Sequence, residues 1–258
     1  MGQIVMHEDT HRYYDNETFE EYLSVSFVLK MLEPKVDWEM VKFQVAKSRG
    51  ITVEEVQTEW DKPTKSSQDT GKRIHNALEE YDRYMTIKPE NEDLRPLIMA
   101  MREFFCSYKT FNVEQILSSE KYRIAGTVDK RCKINGGKTV DYFDYKTNEV
   151  RGIQYHDPRG KFMNAPVAHL SNCNYNKYAL QPSFYAYFGE EMEGLIPRKN
   201  TIIFIPPSEP MKWYTIPMPY MKNDVLAILE YYKQDILDEI ENRKSTDPIK
   251  NLIEKDEW

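Results

Sequence analysis

TVDYFDYKT, residues 139–147, reads as a buried strand that nevertheless carries Asp141, Asp144 and Lys146. Val140, Tyr142, Phe143 and Tyr145 supply the strand signal, because β-branched and aromatic residues in a short run fit a pleated, packed surface. Asp144 and Lys146 are two residues apart and project to one face, whereas Asp141 projects to the other. Charges in such a run need partners or water. Two readings are open: an ion pair closing an edge strand, or a metal site that acts on phosphodiesters.

The residues upstream bear on that choice. AGTVDKRCKI, residues 125–134, is a second strand pattern, and Asn135, Gly136 and Gly137 form a tight hairpin signal between the two. A hairpin there sets Asp129 beside Asp144. Paired carboxylates are suited to a hard cation, which takes oxygen ligands, polarises a phosphoryl oxygen and generates hydroxide. The carbonyl of Tyr145 offers the ion a further oxygen. A lysine next to such carboxylates orients and stabilises hydroxide while the acids balance its charge, which accounts for the spacing of Asp144 and Lys146.

Further out, GQIVMHEDTHRYYDN and EEYLSVSFVLKML alternate about a DNET turn and predict a strand or hairpin leading into a helix from about Ser26. Trp38 to Lys47 has a helical pattern, and the polar DKPTKSSQDT, residues 61–70, reads as a mobile loop. Ile74, Leu78, Tyr81 and Met85 recur at helical spacing and predict an amphipathic helix over DTGKRIHNALEEYDRYM. LRPLIMAMREFFCSYKTF predicts a second helix, and VEQILSSEKYRI a strand. Residues 148–176 read as a long loop. A helix is expected from about Gln181, with Pro182 in its first turn. NTIIFI and KWYTIPM predict strands, Lys222 to Arg243 an amphipathic helix, and the last ten residues a frayed end.

The 258 residues, 40% hydrophobic and 30% charged, suit a globular α/β chain. No run of eighteen apolar residues occurs, and the first residues lack the basic and apolar regions of a signal peptide, so a soluble, cytoplasmic protein with no membrane partner is expected. Cys106, Cys132 and Cys173 form no CxxC pair and are too few for a cluster. The net charge of −7 opposes nonspecific nucleic-acid binding as a bulk property. From Glu120 to Leu180, however, eleven Lys and Arg stand against six Asp and Glu, a basic island overlapping the carboxylate motif.

With these motifs in order, the chain resembles the PD-(D/E)XK nuclease superfamily, and within it the RecB-like branch that includes lambda-type phage exonucleases. GKRIH with His75, GTVD with Asp129, DYK with Asp144 and Lys146, and QPSFY with Gln181 and Tyr185 carry the resemblance over residues 71–185. The lead-in HRYYDN to YLSVSFVL extends it to about two thirds of the chain. The resemblance implies a restriction-endonuclease-like α/β fold, a mixed central sheet of about five strands flanked by helices. It implies one nuclease domain over residues 1–258: a lead-in to about residue 68, a core over about 69–220, and a C-terminal helix over about 221–244. It also implies that His75 and Asp129 bind the metal, that Asp144 bridges or completes the site, and that Lys146 is the catalytic lysine. Gln181 and Tyr185 would contact the DNA backbone and support the site, their spacing placing both on one helical face. Glu79, one turn after His75, and Glu120, ahead of a strand, are further acidic candidates, though each also reads as an ordinary surface residue.

The expected activity is a Mg²⁺- or Mn²⁺-dependent exonuclease working from DNA ends, in phage or phage-like recombination, repair or degradation, in a bacterial or phage-infected cell. No iron-sulfur cluster is expected, because the cysteines of the cluster-bearing relatives are absent. A homo-oligomer or a recombination partner protein is compatible with this reading. Lys130, Arg131, Arg151, Arg159 and Lys161 are candidate phosphate contacts, and the NYNKY and FYAYF aromatics read either as base-stacking surfaces or as core. The alternatives are an endonuclease of the same superfamily and a nuclease-like module that binds without cutting; the intact Asp129, Asp144 and Lys146 oppose the second.

Overall fold

The structure, a computed structural model, describes residues 2–7, 10, 12–147, 153–206, 209 and 211–246, with the backbone alone for 62–68, 245 and 246. It opens with a meander of β1 (Ile4–His7), β2 (Arg12–Asp15) and β3 (Glu21–Ser24). The turn before β3 is held by the Asp15 carboxylate, which accepts from the N–H groups of Glu17 and Thr18 at 2.9 Å each. Ser24 then caps α1 (Val25–Met31), its hydroxyl accepting from the Phe27 N–H.

The segment expected to be a loop at 61–70 is instead helical. After α2 (Trp38–Arg49), a single α3 runs from Val53 to Tyr84, 32 residues. Its start is fixed by a capping box, with Thr52 and Glu55 satisfying each other's backbone N–H groups. Capping before the polar stretch and the buried stripe after it carry the helix through it. The stripe itself holds: Ile74, Leu78 and Tyr81 are buried, while Met85 is exposed as the left-handed cap that ends the helix.

The expected helix over 94–111 is divided, with a short 3₁₀ turn at Pro89–Leu94, then α4 (Arg95–Ala100) and α5 (Arg102–Ser107). There follow β4 (Asn112–Ser119), β5 (Ile124–Lys133), β6 (Thr139–Lys146), α6 (Asn174–Glu193), β7 (Ile196–Phe204) and β8 (Tyr214–Met218). The C-terminal helix is two, α7 (Lys222–Tyr231) and α8 (Lys233–Thr246), meeting at Tyr232. The last residues, expected to be frayed, lie outside the described ones. The hairpin between β5 and β6 turns as expected at Asn135 and Gly136, both with positive φ. Helix α6 starts seven residues earlier than expected and keeps Pro182 in its interior. The donor that Pro182 lacks is a local cost that burial of Ala179, Leu180, Phe184, Tyr185 and Phe188 outweighs.

The sheet is mixed and has eight strands rather than five, in the order β1, β2, β3, β5, β6, β7, β8, with β4 also paired to β5. The additional strands are the N-terminal meander, built into the same sheet by parallel pairing of β3 with the start of β5. Strand β4 runs along one edge of β5 from Ile124 to Arg131. On the opposite edge β3 pairs only at Ile124 and Ala125, and β6 only from Lys130 to Lys133. Residues Gly126 to Asp129 therefore line a split between β3 and β6.

Strand β6 is central, flanked by β5 and β7, so its charges do not close an edge strand. Its two faces are both covered. Tyr142 joins Phe184, Phe188 and Ile228 on the α6 and α7 side, while Phe143 and Tyr145 join Leu78, Phe104 and Phe105 on the α3 to α5 side. Asp141 faces away from Asp144 as its parity requires, and is wholly buried in a pair with Arg198.

Part of the basic island is turned inward. Lys130 is buried with its ammonium 2.7 Å from Asp82 Oδ2 and 2.5 Å from Thr110 Oγ1. Arg131 is buried with Nη1 2.7 Å from Glu193 Oε1. Neither can reach a phosphate, because ions without water are held only by close partners, and these two already have them.

Candidate active site

The split in the sheet gathers the candidate residues. Asp129 is the last residue of β5 before its pairing with β6 begins, one step beyond Lys130 opposite Phe143, and so stands across from Asp144. Its carboxylate replaces a missing ladder bond, Oδ2 accepting from the Tyr145 N–H at 2.6 Å. Helix α3 brings His75 to the same point. A β-carbon at Gly71, one turn earlier, would lie 2.5 Å from Thr147 Oγ1, so glycine is what lets the helix close on the end of β6. The imidazole Nδ1 then lies 3.8 Å from Asp129 Oδ2, and the ring donates to the Tyr145 carbonyl. That carbonyl is thereby engaged by His75.

A residue not singled out from the sequence completes the group. His75, Glu114 and Asp129 each place one ligand atom within 4.8 Å of the others. Two ligands on one ion at about 2.1 Å stand at most about 4.2 Å apart, so closing on a metal requires only small side-chain movement. Glu114 has φ +51°, a left-handed backbone for a non-glycine residue, and the β4–β5 ladder skips it and Asp129 between Val113–Lys130 and Gln115–Val128. A signal existed: counting back from the turn at Glu120 to Arg123 places Glu114 opposite Asp129. Glu120 itself is exposed in that turn, and Glu79 is paired with Arg83 at 2.7 Å beside Glu114.

The electrostatics suit a cation. Burial, and then Asp144, hold the Asp129 carboxyl well above the ordinary carboxylate range. Burial and the nearby Glu79 push Glu114 up to about 7. Burial lowers the His75 pKa despite the charge of Asp144, favouring the neutral imidazole that ligates metals. Crowded, desolvated acids beside a neutral imidazole form a donor set that a divalent ion would relieve, and these residues fit such an ion.

Asp144 and Lys146 sit on one face as expected, Lys146 Nζ 2.5 Å from Asp144 Oδ2. This close ion pair occupies Oδ2, which has no further hydrogen-bond partner among the described residues. Burial works against the Lys146 charge, but Asp144 and Asp129 outweigh it and hold the lysine above its ordinary value. Lys146 also donates to Gln181 Oε1 at 3.0 Å, and Gln181 Nε2 donates to the Tyr185 hydroxyl at 2.9 Å. Tyr185 is buried beneath the split, where a β-carbon at Gly126 would lie 2.7 Å from its Cε1. In this arrangement Tyr185 supports Gln181 from below and has no surface to offer a substrate.

Arg159 and Lys161 lie on the loop before α6, their backbone N–H groups donating to Asp157 Oδ1 at 2.7 and 3.2 Å. Arg151 lies outside the described residues. Among the described residues, no helix is long and apolar enough to cross a membrane.

The chain matches no protein-family model and no curated protein. Among solved structures it is similar to a crystal structure from Eubacterium rectale, provisionally named an exonuclease, at 16% identity and a TM-score of 0.46, covering 93% of this chain and 88% of that one. So distant a likeness carries no argument about the site, and the chemistry rests on the residues themselves.

Proposed function

We propose that this chain is a metal-dependent deoxyribonuclease of the PD-(D/E)XK type that hydrolyses phosphodiester bonds from DNA ends. The observation that carries the proposal is the convergence of His75, Glu114 and Asp129 beside the Asp144–Lys146 pair in one split of the sheet. His75, Glu114 and Asp129 would hold Mg²⁺ or Mn²⁺ with Asp144 alongside. When bound, such an ion supplies positive charge that polarises a phosphoryl oxygen and lowers the pKa of water.

The protein's own groups do the rest. Lys146 stays protonated, offers N–H donors to the attacking water or to developing charge on the phosphate, and is aimed by Asp144 on one side and Gln181 on the other. Tyr185 holds the Gln181 amide in the orientation that presents its oxygen to the ammonium. Exposed Arg159 and half-buried Lys161 are available to phosphates, as Lys130 and Arg131 are not.

The test is a time course on linear DNA and on the same DNA as a covalently closed circle, in EDTA and after adding Mg²⁺ or Mn²⁺. Metal-dependent loss of the linear form alone is expected. Equal rates on the circle would replace the exonuclease reading with an endonuclease, and undiminished cutting after exhaustive chelation would overturn the metal mechanism.

A further inference from the structure

We infer that Tyr155 and Tyr175 form a stacking platform for an unpaired base of the DNA strand that reaches Lys146, a substrate subsite that rests on the nuclease reading above. The two rings lie 4.8 Å apart, centroid to centroid, and are tilted by 35°. Tyr155 is 56% exposed, so a substrate can reach its ring while half-buried Tyr175 supports it. The platform is also tied to the site. Tyr175 and Tyr178 are three residues apart on α6 and share a face, and the Tyr178 ring has Lys146 Nζ 5.5 Å from its centroid.

The loop that carries Tyr155 is held in place rather than left to adapt. The Gln154 carbonyl accepts from the Tyr175 N–H at 3.1 Å, and Ser171 Oγ accepts from the Asp157 N–H at 2.8 Å. Asp157 in turn receives the backbone N–H groups of Arg159 and Lys161, and their positive charges also act on its carboxylate. An accessible ring followed within six residues by two cations is the combination that binds single strands: bases stack on the aromatic face while the cations meet the phosphates. A paired base inside a duplex has no free face to offer, so the platform discriminates in favour of unpaired ends.

The experiment measures binding of the full chain in EDTA to labelled oligothymidylate and to a blunt hairpin duplex, closed by a non-nucleotide linker so that every base is paired, with the same number of phosphates. Tyr155→Ala is expected to weaken oligothymidylate binding about 10-fold while leaving the hairpin unchanged. Tyr155→Phe and Tyr155→Trp, which keep a ring, should bind as the parent does. Equal loss on both probes, or none on either while the parent binds oligothymidylate, would overturn the platform and leave the nuclease reading standing. A parent that bound neither probe and, with metal, cut no DNA would overturn both.

Discussion

Glu114 stands across from Asp129 at a break in the β4–β5 ladder, and its left-handed backbone places its carboxylate near those of Asp129 and the imidazole of His75. Strain at a non-glycine residue persists where the surrounding structure enforces it, and here it brings a third candidate ligand to His75 and Asp129. Glu114→Gln should therefore weaken Mn²⁺ binding and cleavage by about 10–100-fold or more, as loss of groups at metal sites does. Glu120→Gln should change neither. Isothermal titration with Mn²⁺, beside the linear-DNA assay, separates the two.

Lys146→Ala should abolish cleavage but retain metal binding, whereas Asp129→Ala should lose both. Gln181→Ala should fall between, on the order of 10²-fold in rate, because it leaves the ammonium present but free to swing. Matched, mild losses in all three would point to a structural ion pair. Circular dichroism must accompany each variant.

In the metal-free protein, Glu114 and Asp129 should contribute less to stability as pH rises, against the opposite slope of the lowered His75 pKa. Glu114 is held at about 7 against an ordinary 4.5, and Asp129 is also raised, so between those values the folded state keeps protons that the unfolded chain has released. Their contribution is complete below about pH 4.5 and declines as pH rises through 7. The melting temperature of the parent relative to Glu114→Gln, followed in EDTA across this window, should show the decline. Saturating Mn²⁺ should reverse it, since an ion that binds only the folded state stabilises it.

Lys130 and Asp82 predict a purely structural effect. Asp82→Ala leaves a buried ammonium and should cost about 3–5 kcal/mol, whereas replacing both residues with apolar ones of similar volume should recover most of that. Urea denaturation reads the difference. The DNA affinity of the double variant should match that of the parent.

Gly126→Ala should disturb the site from below. Its β-carbon would meet the Tyr185 ring at 2.7 Å and Val25 Cγ2 at 3.1 Å, and the ring cannot retreat without releasing Gln181. Reduced rate at unchanged metal affinity is expected, measured by the same titration and time course.

The sequence by itself determined the hairpin through Asn135 and Gly136, the buried run of β6, and the amphipathic segment of α3 that carries His75. Each is a local matter, written in periods of two or 3.6 residues and in turn chemistry that neighbouring residues enforce. It also placed Asp144 and Lys146 on one face, since strand parity needs no tertiary information. Only the tertiary structure decided that Glu114 joins His75 and Asp129, because that depends on a backbone break and on elements far apart in sequence. The same holds for Lys130 and Arg131, which read as a basic surface until Asp82 and Glu193 are brought to them from distances of 48 and 62 residues. It holds too for the helix through 61–70 and for Pro182 inside α6, where capping and burial outweigh the local preference to break. Local preferences are worth a few kcal/mol at most, and where long-range burial and charge pairing exceed them, only the assembled fold records the outcome.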